Sequence, residues 1–152
     1  MKFNDLRLKL SALDDRDRCL ALSEVCLELL RPLLPDVALT ALDTAQAVCR
    51  SGDPIVDMLR LAIRPCFAYQ KENYEFHTET PDACALRAVI GALQPTVKDT
   101  SELALWFLHF TYRALGALKG QENGERGETD KSHPIGHSIA AIIERQLGTQ
   151  PS

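Results

Sequence analysis

The sequence predicts an all-α fold, a single domain over residues 1–152 built as a bundle of about six helices. Three observations carry that reading. Apolar residues recur in three- and four-residue steps along every strongly patterned segment. These segments are punctuated as helices are, with Asp, Ser or Thr before them and Pro or Gly after. Alternation is seen only in Leu6, Leu8 and Leu10, and a lone strand has nothing to pair with, so this stretch is read as a short helix or extended arm. At 152 residues and 45% hydrophobic content, the chain needs neither metal nor disulfide, since a domain of this size buries about 70% of its unfolded surface.

From Ser11 to Leu34 the apolar positions Leu22, Val25, Cys26, Leu29, Leu30 and Leu33 form one helical stripe. Ser11 or Asp14 would cap its start, and Pro32 and Pro35 mark its end. A second helix follows Asp36, with Leu39, Leu42, Ala45, Val48 and Cys49 inward and Gly52 placed to take a left-handed end. Asp53-Pro54 reads as an N-cap and first turn, opening a helix that carries Ile55, Met58, Leu59, Ala62 and Ile63. Pro65 is expected to end or kink it, because the ring clashes with the preceding turn. Thr80-Pro81-Asp82 repeats the start signal for a helix through Leu93, stopped by Pro95. Thr100 or Ser101 begins a longer helix running through Phe110, Ala114, Leu115 and Leu118 to Gly120. Its Leu103–Leu108 stretch has no polar face, the mark of a helix covered on all sides. The last helix spans Ile135 to Leu147, with Ile139, Ile142, Ile143 and Leu147 inward and Gly148 beyond its end.

Two stretches fall outside these helices. Residues 119–132 hold no apolar side chain and read as a flexible acidic loop, and residues 149–152 as a short disordered tail. Tyr69 to Thr80 is polar but carries Tyr69, Tyr74 and Phe76 among Glu72, Glu75 and Glu79.

The formal net charge is −4, with a pI near 5.5. A basic footprint is what displaces counterions from nucleic acid, so no nucleic-acid partner is expected. No apolar run approaches the roughly 18 residues of a membrane span, so no membrane partner is expected either. Another protein with a basic surface suits the sign of the charge, and a homodimer is compatible with it. Met1–Leu13 interleaves charge throughout and does not read as a signal peptide. With five cysteines, an odd number, set inside apolar helices, the expected compartment is the cytoplasm and the expected state is reduced core thiols.

Motifs that carry chemistry are sparse. His133 and His137 stand four apart, but Pro134 and Gly136 lie between them at a helix start, and no further ligand sits at a metal-binding spacing. No metal and no cofactor are expected. Cys84, in a first helical turn near His77, is a minor candidate for a reactive thiol, opposed by Asp82 and Glu79. His109, with Arg113 four residues on and Glu102 seven before, reads as a boundary histidine more readily than as a general base. There is no GxSxG, no Gly-rich phosphate cradle and no HExxH. An enzyme is the weaker class.

The segment Tyr69–Asp82 is the candidate partner-binding site. Glu72, Glu75, Glu79 and Asp82 would steer a basic surface, and Tyr69, Tyr74 and Phe76 would anchor it with rigid apolar area. The competing reading makes the aromatics pins that hold a loop to the bundle.

The run from Cys19-Leu20-Ala21-Leu22 to Leu33-Leu34-Pro35, followed by Ala41-Leu42-Asp43-Thr44-Ala45 and Arg50-Ser51-Gly52-Asp53, resembles the opening of small all-helical bacterial toxin-immunity proteins over about residues 19–60. The resemblance implies a cytoplasmic protein that blocks a cognate toxin without catalysis of its own. The expected function is therefore a non-enzymatic, inhibitor- or immunity-type protein that covers a basic site on its partner. The alternative is a small helical enzyme or ligand-binding regulator with a pocket near His109 and Trp106.

Overall fold

The computed structural model describes residues 3–52, 54–95, 98–116, 118–119, 128–129 and 134–147. Helix α1 (Phe3–Ser11) buries Leu6 and Leu10 completely and leaves Leu8 66% exposed. The alternation of these leucines is thus a helical i, i+4 pair with a third leucine on the far side. α1 packs on α6 (Thr100–Ala114), and the Arg7 side chain donates to Ser101 Oγ at 3.0 Å.

Helix α2 (Asp15–Val25) is capped by Asp14, whose carboxylate accepts from the Asp17 N–H at 2.8 Å. The single helix expected through Leu34 changes its winding, first to a π turn at Cys26–Leu30 and then to a 3₁₀ turn at Arg31–Leu33. Pro32 has no N–H to give the Glu28 carbonyl, so the regular ladder cannot continue past it. Arg18 is buried but satisfied, donating to the Leu13 carbonyl at 3.0 Å and pairing with Asp15.

Helix α3 (Asp36–Arg50) turns Ala38, Ala41, Leu42, Ala45, Val48 and Cys49 inward, and Gly52 follows with φ +82°. Helix α4 (Val56–Asn73) departs from expectation at both ends. Asp53 lies outside the described residues, and the helix opens after Pro54, with the Ile55 carbonyl accepting from the Leu59 N–H at 2.8 Å. It then continues through Pro65 for two further turns. Both Pro65 and Leu61, whose carbonyl loses its helical donor, stand on the solvent side, so the missing bond falls outside the core.

Helix α5 (Pro81–Ala92) is the central one, contrary to the expectation for α6. Residues 83–86 and 88–92 are all buried, and α2, α3, α4 and α6 all pack on α5. Its alanines and Gly91 allow that close approach on every side. Asp99 caps α6, accepting from Glu102 N–H at 2.9 Å, but Leu105 and Trp106 are 38% and 47% exposed. The helix ends at Ala114, short of the expected Gly120, where Gly116 takes φ +74°. Leu118–Lys119 then pairs antiparallel with Glu128–Thr129, so the expected loop contains a two-residue ribbon. The rest of 120–132 lies outside the described residues.

Helix α7 (Pro134–Leu147) buries Ile139, Ile142 and Ile143 and packs on α2. Arg145 reaches back to Glu28, and Lys9 meets Glu144 at 3.2 Å. His133, Gly148 and the 149–152 tail lie outside the described residues. All five cysteines are free and buried, and no helix among the described residues is long and apolar enough to cross a membrane.

Candidate functional site: an aromatic groove

The segment Tyr69–Asp82 is not one loop. Tyr69 and Glu72 belong to the last turns of α4, Tyr74, Glu75, Phe76 and Glu79 to the connection, and Asp82 to the first turn of α5. Tyr69–Asn73, expected outside the helices, lies within α4 because the helix runs on through Pro65.

Tyr74 is half-buried, packing its ring against Tyr69 at 6.0 Å between centroids and donating its hydroxyl to Asp82 Oδ2 at 2.9 Å. Burial and that bond push the phenol up to about 12. Asp82 is held below the ordinary carboxylate range by hydrogen bonds from Thr80 and Tyr74 and by backbone N–H groups of the first turn. Tyr74 thus ties the connection to the start of α5. Phe76 is the opposite case, 89% exposed with its ring edge against His77 at 5.3 Å.

The carboxylates divide similarly. Glu79 is paired with Arg113 of α6 and Asp82 is engaged as above, while Glu72 and Glu75 are exposed and form no ion pair among the described residues. Arg87 and Arg113, delivered by α5 and α6, join Lys71 against the four acids. The local acidity read from the segment alone is therefore largely offset by cations the fold brings in.

These elements frame an open groove of about 830 Å³. Phe67 and Tyr74 form one wall, Trp106 and Phe110 the other, and Ile90 the floor, with Phe76, Lys71, Glu75, Gln70 and Gln94 around the mouth. The Trp106 and Phe110 ring centroids stand 4.7 Å apart in an edge-to-face pair. Arg87 ties the walls together: its guanidinium lies 5.4 Å over the Phe110 ring, Nη2 donates to the Phe76 carbonyl at 2.9 Å, and its own carbonyl accepts from Trp106 Nε1 at 3.4 Å. Sequence reasoning missed Arg87, Phe67 and Gln94. The available signal was Arg87 itself, the one charge within the otherwise apolar run Ala83–Leu93.

His109 does not line the groove. It is half-buried beside Phe110, at 5.1 Å, and burial together with Arg113 lowers its proton affinity, with Glu79 opposing. Cys84 is fully buried, its thiol donating to the Glu79 carbonyl at 3.6 Å, and burial raises it, so the helix start does not activate this sulfur. Among the described residues no three His, Cys, Asp or Glu side chains are placed to hold a metal. A shallower apolar surface of about 420 Å³ lies between α3 and α4, where Met58, Leu61 and Pro65 face outward.

No family model matches the chain, and neither a curated protein nor a solved structure matches it.

Proposed function

We propose that this chain is a non-enzymatic binding protein whose partner is another protein, seated on the aromatic groove. The observation that carries the reading is Phe76, a large apolar side chain 89% exposed at the mouth of a groove walled by Phe67, Trp106 and Phe110. Surface aromatics gathered around a cleft are the usual anchors of protein recognition. The partner is one that inserts an apolar side chain between Tyr74 and Trp106 and sets a basic group against Glu72 and Glu75. Within this class, the resemblance of residues 19–60 to immunity proteins favours an inhibitor that covers a basic site on a toxin or effector.

The test uses the partner recovered from the native source and two variants. Phe76→Ser should weaken its binding by about 2 kcal/mol, some thirtyfold in Kd. Met58→Ser, on the α3–α4 surface, should leave the Kd unchanged. Equal effects of the two variants, or none from Phe76→Ser, would remove the groove from consideration.

A ligand-binding regulator is the second reading. The groove's volume lies within the range of about 300–1,000 Å³ that small-molecule sites occupy, and Trp106 lines it. It is open along its length and lacks the His109 that this reading placed beside Trp106. A native mass spectrum carrying a stoichiometric small molecule that Trp106→Ala removes would favour it.

A further inference from the structure

The aromatic groove does not stop at Trp106. A second cleft, of about 420 Å³, opens on the other side of the indole, between the end of α5 and the start of α6. Ile90, Gln94 and Trp106 line both, so the half-exposed indole stands as a ridge between two compartments of one groove. The ridge is seated from below: the ring lies over Gly91, and its Nε1 donates to the Arg87 carbonyl at 3.4 Å. The polar groups of the larger compartment are mostly donors. Gln70, Lys71, Arg87 and Gln94 bring N–H groups to it, against the single carboxylate of Glu75. The Gln70 and Gln94 side-chain amides and the Lys71 ammonium have no hydrogen-bond partner among the described residues. Arg87 commits one of its five N–H groups, to the Phe76 carbonyl.

We infer that the occupant of the groove is an extended, proline-rich segment of the partner that carries a lysine or arginine beside its prolines. This rests on the groove being the protein-binding site, and it names the chemistry that enters. A donor covered without an acceptor loses its bond to water, so the occupant has to bring free carbonyls. An α-helix brings few, because its carbonyls are engaged along its own ladder. A β-strand brings as many N–H groups as carbonyls and calls for a strand edge, whereas this groove is walled by helices. A polyproline segment has no internal hydrogen bonds, and each proline offers a carbonyl and no N–H. Its turn of three residues rises about 9 Å, so prolines at i and i+3 descend on either side of the Trp106 ridge, one into each compartment. Their rings pack on the aromatic walls, as proline-rich segments do in aromatic-lined grooves elsewhere. The basic residue meets Glu75 at the mouth and Glu72 on the last turn of α4, two exposed carboxylates with no ion pair among the described residues.

The test is selection of a random dodecapeptide library, displayed on phage, against the folded full chain. Synthetic copies of the enriched peptides are then titrated by calorimetry into the wild type and three variants whose far-UV circular dichroism matches it. The expected peptides share two prolines three positions apart with a lysine or arginine nearby, and replacing both prolines by alanine abolishes binding. Trp106→Ala and Phe76→Ser should each weaken binding at least tenfold. Glu72→Gln with Glu75→Gln should weaken it three- to tenfold and remove most of its salt dependence. Enriched peptides without proline, an amphipathic helical pattern above all, that still lose binding in Phe76→Ser would overturn the polyproline assignment and leave the groove as a binding site. Proline-bearing peptides that bind Phe76→Ser and Trp106→Ala as tightly as the wild type would overturn both. A selection that enriches no peptide would overturn the assignment.

Discussion

The Tyr74 hydroxyl donates a 2.9 Å hydrogen bond to Asp82, tying the connection after α4 to the first turn of α5. Both groups titrate differently when folded. Asp82 has a depressed affinity for protons, so its contribution to stability is present above the ordinary carboxylate range and is lost as pH falls through its folded value. Tyr74 is raised to about 12, so its contribution is complete below the ordinary phenol value of about 10 and disappears as pH rises from there toward 12. Tyr74→Phe should lower stability by about 1 kcal/mol near neutrality. The variant should also lose less stability than the wild type between pH 10 and 12, as urea midpoints across that range would show.

His109 gives a further pH signature, opposite in direction to that of Tyr74. Burial, then Arg113, lower its affinity for protons in the folded chain, while Glu79 pushes the other way. A histidine depressed in this way binds more protons unfolded than folded, so stability is complete above about pH 6.5 and falls as pH drops through the folded value. His109→Gln should flatten the loss of thermal midpoint between pH 7 and 5. Glu79→Gln, which removes the group favouring the imidazolium, should move the His109 titration to lower pH, as its ring-proton NMR shift would report.

How far the sequence disclosed this molecule can be traced residue by residue. Helix starts were legible where a short polar side chain acts locally, as at Asp14, and where Pro81 opens a first turn that cannot use its N–H. The inward faces of α3 and α7 were legible because each buries one stripe. Pro65 misled, because whether a proline ends a helix depends on which side of the bundle its missing bond falls. The centrality of α5 was hidden by its small residues, which score weakly as apolar but pack on all sides. In the candidate site, Tyr69, Tyr74 and Phe76 were found as a group, yet their division into half-buried rings and an exposed one depends on Asp82 and α6. The Arg87 contacts join residues far apart in the chain, and no local pattern announces them.

Gly91 seats Trp106. A Cβ at Gly91 would stand 3.0 Å from Trp106 Cδ1, so Gly91→Ala must push the indole outward. Alanine in a helix interior is worth about 1 kcal/mol over glycine, a gain the displaced indole should cancel. The variant should be no more stable than the wild type. Because Trp106 is the only tryptophan, its emission should report the shift directly, moving to the red as the ring leaves α5. A stabilised variant with unchanged emission would mean that the added methyl is accommodated without displacing the indole.

Pro65 stands exposed in the interior of α4, and the carbonyl of Leu61 has no helical donor there. Two opposing terms set the outcome of Pro65→Ala. Restoring the N–H and relieving the ring should recover a good part of the roughly 3 kcal/mol that a proline costs inside a helix. Freeing the unfolded chain should give back about 0.4–1 kcal/mol in the other direction. The first term is the larger, so the variant should be more stable by about 1–2 kcal/mol, read as a higher urea midpoint at unchanged slope. The aromatic groove begins only at Phe67, half a turn further on and on another face. Partner binding should therefore be unaltered, separating the stability of α4 from the proposed recognition surface at its end. If Pro65→Ala instead weakened binding while stabilising the fold, the irregularity at Leu61 would be part of how α4 presents Phe67 and Tyr69.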